Sequence, residues 1–168
     1  PIADFIDDLS TWYIRRSRDR FKAEGDKDAE LDKVMALTTT RNVLLDFAKL
    51  IAPFMPFLAE DVYLRLKGPL ESVHLESWPE NTKVDSKVME DMQNARKLTS
   101  LAMEARMKAK INVRQPLAKL FVKTSYPESL VEIIKDEVNV KEVVLDPAIS
   151  LDVTLDTNIS PELKEEGF

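Results

Sequence analysis

From Lys27 to Ala52 the chain runs without a glycine or a proline and stops against Pro53. Leu31, Val34, Met35, Thr38, Asn42 and Leu45 mark one side of this run at helical spacing. Leu37, Leu44, Phe47, Ala48 and Ile51 mark another. Apolar residues over more than half the circumference predict a helix with neighbours on two sides, the central position of a bundle. Pro53 ends it, because proline lacks the amide and its ring clashes with the preceding turn.

Three further helical patterns supply neighbours. The first covers Ile2 to Ala23 and ends near Gly25, with Ile2, Phe5, Ile6, Leu9, Trp12 and Tyr13 as its apolar stripe. Pro56 suits the first turn of a third helix, which Gly68-Pro69 ends. Its buried side is expected to be Phe57, Leu58, Val62 and Leu66. Residues 70–84 lack a helical period and read as an extended segment held by Val73, Leu75 and Trp78. A fourth helix starts after Asp85 or Ser86 and reaches about Lys110. Val88, Met92, Ala95, Thr99, Ala102, Arg106 and Ala109 lie along one side of it, and its small residues suit close packing.

Beyond Pro116 the period changes. Leu117 to Lys123 reads as a strand, and Ser125 with Glu128 as the capping box of a short helix carrying Leu130, Val131 and Ile134. Val138 to Leu145 and the alternation around Leu151, Val153 and Leu155 read as two more strands. The fold class is therefore mostly α: a helical bundle over 1–112, then a small α+β unit over 113–168. The chain opens at Pro1 already in helical pattern. It ends at Phe168 just after a helix start at Ser160-Pro161, so it is expected to be a piece of a longer protein.

Only 3 Gly and a hydrophobic content of 44% argue for an ordered chain. No cysteine is present, which excludes disulfides, thiolate metal sites and cysteine nucleophiles. No apolar run is long enough for a membrane span. His74 is the single histidine and reads as structural or solvent-exposed. With no clustered catalytic set and no ligand-spaced histidine pair, neither a catalytic nor a metal site is expected.

Charge is segregated along the chain. The net charge is −6, yet Asn94 to Lys123 carries eight Lys/Arg against Glu104 alone. Trp12 to Lys22 carries five against Asp19, and the stretch from Thr124 onward is strongly acidic. Such blocks can be solvated faces, or basic patches offered to a polyanion. The densest block is Trp12-Tyr13-Ile14-Arg15-Arg16-Ser17-Arg18-Asp19-Arg20-Phe21. On an ideal helix Arg16 and Arg20 continue the apolar meridian, while Arg15 and Arg18 face water. Arg16 and Arg20 repel as an i,i+4 pair unless an anion offsets them. That anion is either a carboxylate of a neighbouring helix or an external ligand, and the stretch alone leaves both open.

Four segments together resemble isoleucyl-tRNA synthetases, most closely the type of archaea, the eukaryotic cytosol and some bacteria. They are Trp12 to Arg18, the Leu50 to Glu60 element Leu-Ile-Ala-Pro-Phe-Met-Pro-Phe-Leu-Ala-Glu, Ser72-Val73-His74-Leu75, and Ala109 to Leu117 with its Val-Arg-Gln-Pro-Leu core. They stand in family order across nearly the whole chain, through Asn158 to Leu163. The Ala-Pro-Phe-x-Pro-Phe element is shared with valyl and leucyl synthetases, whose equivalent domain is the alternative within the class. Lys22 departs from the tryptophan the family usually places after Phe21.

The resemblance implies the anticodon-binding helical domain and the start of the C-terminal region. The expected partner is isoleucine tRNA, together with catalytic and editing domains upstream in the same chain. ATP and magnesium would serve the parent enzyme and no cofactor this piece, in the cytoplasm. The site residues implied are Arg16 and Arg20, with Arg15 or Arg18, for phosphates and bases. Trp12 and Tyr13 would stack on bases or wedge the helix into the bundle. Lys108, Lys110 and Arg114 would be further phosphate contacts. Guanidinium forks suit phosphates and can stack on bases, and anticodon loops offer both. From a different class, a helical scaffold whose basic ends bind an acidic protein is the competing expectation.

Overall fold

A computed structural model describes residues 2–80 and 83–166. The chain divides into two compact units, residues 1–82 and 83–168.

In the N-terminal unit the first helical pattern is broken. Helix α1 spans Ile2–Asp8 and passes into a widened turn over Leu9–Ile14, and α2 spans Arg18–Lys22. In the widened turn the Arg15 N–H donates to the Ser10 carbonyl five residues back, at 3.0 Å. The expected continuous helix to Ala23 is thus corrected: the wide turn and the bend that follows it shift the helical phase. Helix α3 spans Lys27–Ile51, close to the predicted limits. Asp26 caps it by accepting the Ala29 N–H at 3.0 Å. Its buried residues are Ala36, Leu45, Ala48 and Ile51, whereas Leu31, Val34 and Met35 are exposed. The two-sided cover expected for α3 is therefore incomplete along its first half.

Helix α4 spans Pro56–Arg65 and buries Ala59 and Tyr63, with Val62 and Leu66 partly covered. This corrects the expected stripe, since Phe57 is 91% exposed and Leu58 also faces solvent. The rotation follows the polar anchoring of Tyr63. Its hydroxyl donates to Glu76 and accepts the Leu70 N–H at 2.9 Å. A Cβ on Gly68 would lie 2.1 Å from the Tyr63 ring, so the glycine is sterically required there. Glu60 accepts the Ser72 hydroxyl and the Val73 N–H, which fixes a single tight turn at Val73–Leu75. Val73 is buried, while Leu75 and Trp78 are exposed, so two of the three expected anchors do not hold this segment. Its residues 81–82 lie outside the described residues.

The C-terminal unit is built on a three-stranded sheet of order β2-β1-β3. Helix α5 spans Ser86–Lys108, capped by Asp85, which accepts the Lys87 and Val88 N–H groups. Strand β1 is Leu117–Val122, α6 is Glu128–Val138, β2 is Val140–Leu145, β3 is Val153–Leu155 and α7 is Pro161–Glu166. Strand β1 pairs parallel with β2 (Leu117 opposite Val140) and antiparallel with β3 (Phe121 opposite Thr154). Helix α6 starts behind Pro127 without a side-chain cap, so the expected Ser125 capping box does not form. Helices α5 and α6 pack on each other, α5 against β3 and α6 against β2. The shared core holds Ala95, Leu98, Ala102, Leu117, Leu120, Ile134 and Val138. Helix α5 therefore packs as part of the sheet-containing unit, and the residues near Asn112 mark a change of secondary structure.

Candidate nucleic-acid interface

Two basic elements stand out, one in each unit. In the N-terminal unit, Tyr13 donates its hydroxyl to the Ala36 carbonyl at 3.3 Å, which ties the widened turn to α3. Trp12 is half-buried beside it. Arg15 is exposed and donates Nε–H to the Thr11 carbonyl at 2.9 Å. Arg16 is half-buried and Arg18 is exposed. Arg20 forms a two-point ion pair with Asp32 of α3, Nε–Oδ2 at 2.7 Å and Nη2–Oδ1 at 2.6 Å. Hydrogen bonding to Asp32 raises the Arg20 pKa, and the same guanidinium holds the Asp32 carboxyl below its ordinary value. For Arg20, the anion left open by the sequence includes a carboxylate of the neighbouring helix.

The wide turn also changes which residues share a face. With an extra residue inside one turn, Trp12, Arg16 and Arg20 no longer follow a single i,i+4 meridian. A π-type turn embedded in a helix recurs at functional sites.

In the C-terminal unit the basic element is the end of α5 and the loop after it. Lys108 is exposed and pairs with Glu104 at 2.7 Å, and it lowers the Glu104 pKa. Lys110 takes a left-handed backbone, φ 58°. Its N–H donates to the Met107 carbonyl, and the Ile111 N–H to the Arg106 carbonyl, both at 3.0 Å. This is the two-bond helix stop usually made with glycine, and a lysine there costs roughly 1 kcal/mol in backbone strain. Arg114 is exposed on the loop, and its N–H donates to Asn112 Oδ1 at 3.0 Å.

The loop is held from below by Arg106, which is 1% exposed. Its guanidinium donates to the carbonyls of Val138 (2.9 Å), Asn112 (3.0 Å), Gln115 (2.9 Å) and Asn139 (2.8 Å). Val138 and Asn139 end α6, so the cation also meets the negative end of that helix. Burial pushes the Arg106 pKa down from its ordinary value. Asn139, itself left-handed at φ 53°, donates Nδ2–H to the Val113 carbonyl at 2.8 Å. Arg106 and Asn139 thus fix the Asn112–Gln115 backbone that carries Arg114. An open hollow beside this loop is lined by Met103, Met107, Ile111 and Val113.

The structure thus gathers Trp12, Arg15, Arg16, Arg18 and Arg20 in one unit and Lys108, Lys110 and Arg114 in the other. Sequence reasoning placed Arg106 inward without finding its carbonyl cage. It missed Arg41, which crosses from α3 to donate to the carbonyls of Leu66 (2.9 Å) and Lys67 (2.7 Å). It had no signal for either, because backbone carbonyls carry no residue identity. No described helix is long and apolar enough to cross a membrane.

Comparison with known proteins adds three findings. The family model for the anticodon-binding domain of tRNA ligase matches residues 2–122. An isoleucine–tRNA ligase of Clostridium acetobutylicum is 41% identical over 99% of this chain, which covers 16% of that protein. Those of Chlamydia trachomatis and Thermoplasma acidophilum are 42% and 38% identical over 85% and 84% of the chain, which covers 14% of each.

Proposed function

The chain belongs to the anticodon-binding domain family of tRNA ligases, and on that premise we propose that it holds the anticodon stem-loop of an isoleucine-accepting tRNA. The observation that carries the reading is the match of nearly the whole chain to isoleucine–tRNA ligases. The exposed arginines behind the widened turn support it. In this reading Arg15, Arg16 and Arg18 meet phosphates and bases. Trp12 offers an aromatic edge, and Lys108, Lys110 and Arg114 add phosphate contacts. Arg20 contributes through the position it gives α2, since Asp32 already occupies its fork.

The chain spans about one-sixth of the relatives it matches. Activation of isoleucine with ATP and magnesium, and editing, are assigned to other parts of a cytoplasmic parent enzyme. This piece would set the tRNA so that its acceptor end reaches them.

Filter binding of the isoleucine anticodon stem-loop across a salt series tests the reading. Affinity should fall steeply as salt rises, because bound phosphates release counterions. The triple variant Arg15→Ala, Arg16→Ala, Arg18→Ala should bind at least ten-fold more weakly, with a shallower salt dependence. Equal binding by the triple variant would refute these contacts, and no binding by the native chain would refute the function.

A further inference from the structure

A second concavity lies in the C-terminal unit, away from the Arg106-held loop in sequence. Asn94, Lys97, Leu98 and Leu101 fall at i, i+3, i+4 and i+7 on one face of α5. They meet Lys123, Thr124 and Tyr126, which follow β1, and Asp152, which precedes β3. The Lys123 N–H donates to the Asp152 carbonyl at 3.3 Å and joins the last two segments. Together they line an open hollow of about 190 Å³.

Most of the lining is polar, and its polar residues other than half-buried Tyr126 are exposed. Lys97 and Lys123 form no ion pair within 4.0 Å among the described residues, although Asp152 lines the same hollow. Lys110 and Lys164 share this among the described residues, while several other lysines of the unit are paired. Lys87, Lys108, Lys119 and Lys135 each hold a carboxylate, at 2.7, 2.7, 3.1 and 2.8 Å. Burial and the Asp152 charge both raise the Tyr126 pKa.

The lining residues carry two ammonium groups, an amide, a hydroxyl and a phenol, each able to donate to a tetrahedral oxyanion. A carboxylate beside it is unfavourable for a bare anion. It is favourable for a ligand that places a hydroxyl next to its phosphate. RNA does so at every nucleotide, because the 2′-hydroxyl lies beside the phosphodiester and donates to an acceptor. We propose that this hollow receives one ribose–phosphate unit of bound RNA, with Lys97 and Lys123 on the phosphate and Asp152 accepting from the 2′-hydroxyl. The inference rests on the RNA-binding function proposed above. It adds a contact outside both basic elements described for it, and a means of distinguishing RNA from DNA.

The test uses the full 168-residue chain with the isoleucine anticodon stem-loop as RNA, the same sequence as DNA, and inorganic phosphate as a competitor. Lys97→Gln with Lys123→Gln should weaken RNA binding several-fold and make the log–log salt slope shallower by about 0.7, the value of one single-strand phosphate contact. Asp152→Ala, which removes the acceptor, should lower the preference for RNA over DNA while the far-UV circular dichroism stays unchanged. Native RNA affinity and slope in the lysine variant would overturn the proposal while leaving the function intact. An unchanged RNA-to-DNA ratio in Asp152→Ala would overturn the 2′-hydroxyl contact. Phosphate binding that the lysine variant loses without any change in RNA affinity would assign the hollow to a free anion and overturn the proposal. Absence of RNA binding by the native chain would overturn both readings.

Discussion

Leu117, Leu120, Ile134 and Val138 of the C-terminal unit are fully enclosed, whereas Leu31, Val34, Phe54 and Phe57 of the N-terminal unit stand exposed. One unit closes a sheet and two helices around a core of its own. The other covers α3 on part of its length, around a smaller core that includes Leu45, Ala48, Ile51, Ala59 and Tyr63. Arg20 with Asp32, Arg41 with the end of α4, and Tyr63 with Glu76 are among its long-range polar ties. A closed apolar core stabilises through area removed from water, while exposed apolar faces remain available for contact with other protein. The contrast teaches that apolar periodicity predicts a helix well but does not say whether its stripe is covered.

The contrast can be broken by substitutions matched across the two units. Ile134→Ala should cost about 2–5 kcal/mol, as for other fully buried aliphatic truncations, and a urea titration followed by circular dichroism would show it. Gly68→Ala should cost about 1–3 kcal/mol, because the added methyl meets the enclosed Tyr63 ring. Its effect should be confined to amide exchange in the N-terminal unit. Phe57→Ser should change stability by less than about 0.5 kcal/mol despite removing a phenyl ring. A loss near that of Ile134→Ala would show that Phe57 is covered.

The smallest expected effect is electrostatic. Asp32 has a depressed pKa in the folded chain, so its pairing with Arg20 stabilises above the ordinary carboxylate range. That contribution is lost as pH falls through the lowered folded value. Asp32→Asn should remove this part of the acid dependence, seen as a flatter thermal midpoint between neutral and acidic pH.

Much of the architecture was legible. Helices α3 and α5 were placed almost to the residue, because each has a long apolar period, an Asp at its start and a defined stop. The strands were legible from the change of period after Pro116. Three features were not. The wide turn at Leu9–Ile14 leaves no mark on composition, since it is a backbone choice within a helix-forming run. The buried face of α4 was misread because Phe57 is more apolar than Tyr63, while it is the tyrosine hydroxyl that fixes the rotation. The packing of α5 on the sheet was hidden because an apolar stripe serves a helical or a sheet neighbour equally well. Of the candidate site, the identity and clustering of the arginines were legible. The occupation of Arg20 by Asp32 and the carbonyl cage of Arg106 depend on long-range geometry.

The most direct test of the RNA reading is photo-crosslinking of the isoleucine anticodon stem-loop to the full chain, with the attached peptides mapped by mass spectrometry. Crosslinks should fall in residues 12–22, with a second group at 108–114 and a third beside Lys97, Lys123 and Asp152, and should disappear as salt is raised. Attachment confined to other segments at full binding affinity would contradict the account.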